Sequence, residues 1–126
     1  VRILLADDRF SVRLALRTLL ERQTGVQIVG EAAHSAALLS QIQAACPDLV
    51  LLDWNLSDVA AGELLPALRD LCPGLPVIVL SGQPEVRRAA LAAGADAFVS
   101  KADPPERLLV ALRSARRAKV KDGGTL

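Results

Sequence analysis

Four short apolar runs in this sequence end on polar residues that could do chemistry together. "RILLA" (2–6) is followed by Asp7 and Asp8, and "DLVLL" (48–52) by Asp53. "PVIVL" (76–80) is followed by Ser81, and "DAFVS" (96–100) by Lys101. Three carboxylates gathered in one pocket would repel one another and shift each other's pKa values. A hard divalent cation relieves that repulsion. Mg²⁺ takes oxygen ligands, keeps several waters, and favours one or two carboxylates plus a phosphate oxygen. Lys101 adds a point charge and Ser81 a hydroxyl donor. Asp53 is then the candidate nucleophile, a carboxylate able to attack phosphorus and form an aspartyl phosphate. Taken singly, each of these residues marks no more than a place where a sheet meets water. It is the set that points to chemistry.

The elements that must position them are legible as a pattern. The four runs, with "VQIVG" (26–30), are rich in Val, Ile and Leu and mostly lack polar alternation. Such runs read as strands buried on both faces, hence a parallel sheet. Amphipathic stretches lie between them. In 11–23, Val12, Ala15, Leu16, Leu19 and Leu20 follow a helical stripe. The stretch 35–45 opens on Ser35, a suitable N-cap, and stops at Cys46-Pro47. Helices over 61–71 and 84–93 follow, and one over 104–116 opens on Asp103-Pro104-Pro105 with Leu108, Ala111, Leu112 and Ala115 on one face. The pattern predicts an α/β, doubly wound (βα)₅ three-layer sandwich with strand order 2-1-3-4-5, flavodoxin-like. In such sheets ligands bind beyond the carboxyl ends of the strands, where the acids, hydroxyl and lysine fall. Residues 117–126 lack an apolar stripe and read as a tail or the start of a linker after a domain over 1–116.

Composition narrows the function classes. At 126 residues the chain suits one domain. A net charge of +1 gives no reason to expect nucleic-acid binding by this domain. No apolar run approaches the ~18 residues of a membrane span, and no signal peptide is read at the start. Cys46 and Cys72 each precede a proline, and the pair reads as two buried thiols at helix ends in a reducing cytoplasm. His34 reads as a solvated loop residue. The cationic run Arg113, Arg116, Arg117, Lys119 and Lys121 reads as a solvated helix end.

The motifs "LLADD", "VLLDW", "VLSG" and "AFVSK", each on its own element, resemble those of receiver domains of two-component response regulators, the CheY-like family. The opening "VRILLADD" and the "VRLALRTLLERQTGVQIVGEA" that follows look closest to receivers that carry a helix-turn-helix output domain. The resemblance implies that Asp53 accepts a phosphoryl group from a phosphohistidine on a sensor histidine kinase or phosphotransfer protein. It implies that Asp7 or Asp8, Asp53 and the main-chain carbonyl of Asn55 hold Mg²⁺, and that Lys101 pairs with the acids and then the phosphoryl group. Ser81 and Phe98 would form the switch, changing the surface around helix 4 and strand 5 to control an output domain or partner in transcription regulation. It implies a cytoplasmic signalling protein rather than an enzyme.

Three positions depart from the family pattern. Ser57 and Ala102 stand where prolines are usual, and Ala61-Gly62 where the family has Gly at the first place. A cis bond before a non-proline costs about 3–4 kcal/mol, so the isomer at Lys101-Ala102 stays open at this stage. Asn55 and Gln83, two positions beyond Asp53 and Ser81, are neutral amides that orient water but are poor bases, which implies slow to moderate self-dephosphorylation. Trp54, the only tryptophan, should report metal binding by its fluorescence. Leu14 on helix 1 and Val110 on helix 5 lie off their core stripes and suggest a partner surface, including a homodimer. Two other classes fit parts of the pattern. One is a receiver-like interaction module that is never phosphorylated. The other is a haloacid-dehalogenase-type phosphatase, whose nucleophile, however, sits on its first strand.

Overall fold

The structure, a computed structural model, describes residues 1–56 and 60–124. Ser57 and the side chains of Ala61, Arg116, Arg117, Lys119 and Lys121 lie outside the described residues. The strands are β1 (Arg2–Ala6), β2 (Gln27–Ala32), β3 (Leu49–Asp53), β4 (Val77–Ser81) and β5 (Ala97–Ser100). All pair in parallel in the order β2-β1-β3-β4-β5, as the sequence pattern predicts. The central strands β3 and β4 are buried along their whole length, which is why their sequences show no alternation.

The helices are α1 (Phe10–Glu21), α2 (Ser35–Ala45), α3 (Ala61–Leu71), α4 (Arg87–Ala92) and α5 (Pro105–Gly124). Two cores form, one on each face of the sheet. Leu38 and Ile42 of α2, Leu64, Leu65 and Leu68 of α3 and Ala90 of α4 pack on one face. Leu20 of α1 and Leu108, Leu112 and Ala115 of α5 pack on the other.

Several details differ from expectation. The N-cap of α2 is His34 rather than Ser35; its Nδ1 accepts the Ala37 N–H at 3.3 Å. The stretch before α4 is a 3₁₀ turn over Pro84–Val86, because Pro84 opens it and only the last part continues as α-helix. Helical backbone continues past the apolar stripe of α5 to Gly124, through Ala and Lys, both good helix formers. The Asp103 carboxylate accepts the Ser100 N–H at 3.2 Å, fixing the turn between β5 and α5.

The α1 stripe is only half covered. Leu20 is buried, whereas Val12, Leu16 and Leu19 are half-buried and Ala15 is exposed. A cleft of about 430 Å³ separates α1 from the start of α5, with Leu16, Leu19, Leu80, Val99 and Leu108 in its walls.

The cysteines are a correction. Cys46 and Cys72 are joined in a disulfide with Cα atoms 5.9 Å apart. Each is the C-cap of its helix, α2 and α3 respectively. The two helix ends meet beside the sheet although the cysteines lie 26 positions apart in sequence, and that pairing through tertiary structure leaves no mark in sequence spacing.

Candidate functional site

Register brings the polar strand ends to one edge. Asp53 lies opposite Leu80, and Ser81 opposite Ser100. Backbone bonds continue the ladder one step beyond the strands. The Asp7 N–H donates to Ala32, the Trp54 N–H to Leu80, and the Lys101 N–H to Ser81. The residues after β1, β3 and β5 are therefore held as firmly as the strands themselves.

Lys101 is the centre of the arrangement. Its Nζ lies 2.8 Å from Asp7 Oδ2 and 3.2 Å from Asp53 Oδ1. Asp7 and Asp53 are buried, at 2% and 6% exposure, while Asp8 is exposed. Asp7 Oδ1 also accepts the Arg9 N–H at 2.8 Å, and the Arg13 guanidinium donates to the Asp7 carbonyl at 2.6 Å. These arginine contacts left no signal in the sequence reading, because neither residue lies at a strand end.

Burial pushes the Asp53 carboxyl above its ordinary pKa, and the negative charge of Asp7 adds to that. Lys101 and the Asn55 N–H pull the other way but do not reverse it. Burial alone would lower the Lys101 ammonium. The bond to Asp7 and the charges of Asp53 and Asp7 outweigh it, so Lys101 is held above its ordinary pKa. One lysine thus partners two acids, and the site carries excess negative charge.

That excess fits a cation. Asp7, Asp8 and Asp53 each offer a carboxylate oxygen, all within 4.8 Å of one another. Mg²⁺ binds oxygens at about 2.0–2.1 Å, and three oxygens this close could share one ion. The donors are hard oxygens without a nitrogen or sulfur ligand among them, which matches Mg²⁺ or Ca²⁺ and not a softer metal.

The remaining predicted residues fall into place unequally. Ser81 is fully buried, and its Oγ accepts the Gln83 N–H at 3.0 Å. Its hydroxyl is thus engaged with its own loop. Phe98 is 8% exposed and packs in the core beneath α3 and α4, one face of the sheet away from α1 and α5. Asn55 and Gln83 are exposed at the rim. Trp54 is half-buried against that same core, with its ring edge near Gly62. The described residues contain no cis peptide bond, so Lys101-Ala102 is trans. The lysine reaches both acids all the same. Leu14 and Val110 are exposed at 51% and 55%. Phe10, absent from the sequence reading, is exposed at 68%, with the Arg13 guanidinium 5.8 Å from its ring centre. An aromatic directly after the acidic turn was the available signal.

A profile of the response regulator receiver domain family matches residues 3–113. The transcriptional activator protein ExaE of Pseudomonas putida is 37% identical over 113 residues, covering 88% of this chain and 53% of that protein. The nitrate/nitrite response regulator protein NarL of Escherichia coli (strain K12) is 34% identical over 115 residues, covering 90% of this chain and 53% of NarL. Among solved structures, a CheY-like response regulator receiver domain protein from Methanospirillum hungatei superposes with a TM-score of 0.84 at 29% identity, over 96% of this chain and 97% of that one. The chain spans about half the length of the curated relatives it matches.

Proposed function

The chain belongs to the response regulator receiver domain family, and on that premise we propose that it is a phosphoacceptor switch in which Asp53 takes a phosphoryl group from a phosphohistidine. The observation that carries the reading is Lys101 bridging Asp7 and Asp53 beside a third carboxylate, Asp8. An Asp53 oxygen attacks phosphorus in line. The P–O bond forms as the P–N bond breaks, and the departing imidazole nitrogen keeps the electron pair. Burial and the neighbouring Asp7 raise the Asp53 pKa, and burial also strips the carboxylate of water, which favours it as a nucleophile when ionised. Lys101 already lies within reach of an Asp53 oxygen, where it meets the charge on the incoming phosphoryl group. Asp7, Asp8, Asp53 and the main-chain carbonyl of Asn55 would hold Mg²⁺, which would further neutralise the phosphoryl oxygens.

Ser81 acts after transfer. It gives up the Gln83 N–H to bond a phosphoryl oxygen, and Phe98, on the neighbouring strand, repacks in response. That biases the surface of α4 and β5 between two states. Asn55 and Gln83 flank the approach of water; being neutral amides, they orient it without deprotonating it, so self-dephosphorylation is slow to moderate. The partners are a sensor histidine kinase or phosphotransfer protein and an output domain covalently continuous with the receiver unit, taken as residues 1–116. The setting is the cytoplasm. This domain does not itself touch nucleic acid.

Trp54 provides the test. Mg²⁺ followed by beryllofluoride should change its emission in the wild-type chain and leave Asp53→Ala unchanged. Unaltered wild-type emission with both additions would instead favour an interaction module that is never phosphorylated.

The α1 and α5 faces fit a homodimer contact. Phe10 and Leu14 of α1 and Val110 of α5 are exposed apolar residues. Leu14→Glu with Val110→Glu should hold the beryllofluoride-bound chain as a monomer in sedimentation while preserving the Trp54 response. A dimer that survives both substitutions would place the contact elsewhere.

A further inference from the structure

The disulfide lies outside the phosphoacceptor site and has a different chemistry. Cys46 is the only described non-glycine residue with positive φ, at 37°. It stands at a left-handed helix C-cap, where glycine is the unstrained choice. A β-carbon there is disfavoured. The two ends of the bond differ sharply: Cys46 is exposed, whereas Cys72 is 5% exposed and part of the core beneath α2 and α3. The backbone around Cys46 is also held by hydrogen bonds. The Arg2 guanidinium donates to the Ala45 and Cys46 carbonyls at 3.0 and 3.4 Å, and the Cys46 N–H donates to Ile42. The Cys72 N–H likewise donates to Leu68, and its carbonyl accepts from Leu75.

We propose that Cys46–Cys72 is a redox latch, opened and closed through Cys46 by low-molecular-weight thiols and disulfides, that ties α2 to α3 and sets the stability of the domain without altering the acid cluster. Opening begins when an external thiolate attacks the sulfur of Cys46, the exposed residue of the pair, along the S–S axis. The Cys72 sulfur leaves with the bonding pair and takes a proton. A second thiol then displaces the mixed disulfide from Cys46, so two external thiols become one external disulfide and the protein gains two thiols. Closing is the reverse, with a small disulfide as oxidant. Because hydrogen bonds hold both helix ends, the thiols stay within reach of each other and the bond re-forms without refolding. The bond closes a 26-residue separation that contains β3, Asp53 and α3, so it restrains the unfolded chain. It lies at the start of β3, about 13 Å of strand away from Asp53, which separates latch from phosphoryl chemistry. The supply of reductant rests on the cytoplasmic setting proposed above.

The test uses the folded chain in glutathione buffers of graded ratio without denaturant, read by thiol labelling in intact mass spectra and by melting. Both thiols should appear together as the buffer becomes reducing, with a fall in Tm of about 10 °C, and the shift should reverse on reoxidation. With oxidised glutathione, Cys72→Ser should form a mixed disulfide at Cys46, and Cys46→Ser should form none at Cys72. Failure to cross-link in oxidised glutathione, or reduction only after unfolding, would overturn the latch. None of these readouts passes through Asp53, so a failed phosphoacceptor reading would leave them unchanged.

Discussion

Asp53→Asn should abolish covalent phosphoryl uptake and, in metal-free buffer at neutral pH, raise the melting temperature. The two effects share one cause. An amide oxygen is a poor nucleophile toward phosphorus, so the acceptor is lost. The same substitution removes a charge that the fold holds at a cost. Burial and the neighbouring Asp7 raise the Asp53 pKa in the folded chain. A group whose folded pKa exceeds its unfolded value contributes stability below the unfolded pKa and loses it as pH rises through the folded one. An ionised Asp53 is therefore a burden to the fold, and its neutral isostere should melt a few degrees higher. The advantage of Asn should shrink as pH is lowered through the raised Asp53 pKa, because Asp53 is then itself neutral. It should also shrink when Mg²⁺ is added. A variant that melts below wild type in metal-free buffer would mean that Lys101 outweighs burial and Asp7.

Lys101→Ala should slow phosphoryl uptake from a small donor by about 100-fold or more, the scale seen when a fixed donor to a developing charge is removed. Lys101 is the only cation that an ion pair places on Asp7 and Asp53 among the described residues. Its loss leaves two buried carboxylates facing each other, so the Asp53 pKa rises further and the metal-free domain is destabilised. Because the folded Lys101 pKa is raised, the pair's contribution is fully present below the ordinary lysine value and is lost as pH climbs through the folded one. The stability gap between wild type and variant should therefore hold at neutral pH and close in strong alkali. Added Mg²⁺ should recover part of the stability of the variant. Uptake within a few-fold of wild type would remove Lys101 from the chemistry.

The sheet and its polar edge were legible because they depend on local features. Unbroken Val-, Ile- and Leu-rich runs report burial on both faces, and a carboxylate, hydroxyl or ammonium at the end of such a run has only one place to be. That logic located Asp7, Asp53, Ser81 and Lys101 to within a residue of where β1, β3, β4 and β5 release them. Contacts across the fold were not legible. The Cys46–Cys72 bond joins two helix ends whose proximity depends on how α2 and α3 pack, and the paired Cys-Pro steps read equally well as two separate stops. The hold of Arg9 and Arg13 on Asp7 depends on the path of the loop after β1. The stripe of α1 predicts a covered helix, yet whether Ala15 and Leu16 are covered depends on the distance to α5, which a periodicity does not encode. His34 took the cap from Ser35 because its ring nitrogen reaches the Ala37 N–H, a choice between two adjacent polar residues that composition leaves even.

The most direct measurement is intact and peptide mass spectrometry of the chain after incubation with Mg²⁺ and a small phosphodonor such as phosphoramidate. The mass of one phosphoryl group is expected on the peptide containing Asp53, absent when Mg²⁺ is chelated and absent in Asp53→Asn. An unmodified wild-type chain, or an adduct that persists in Asp53→Asn, would contradict it.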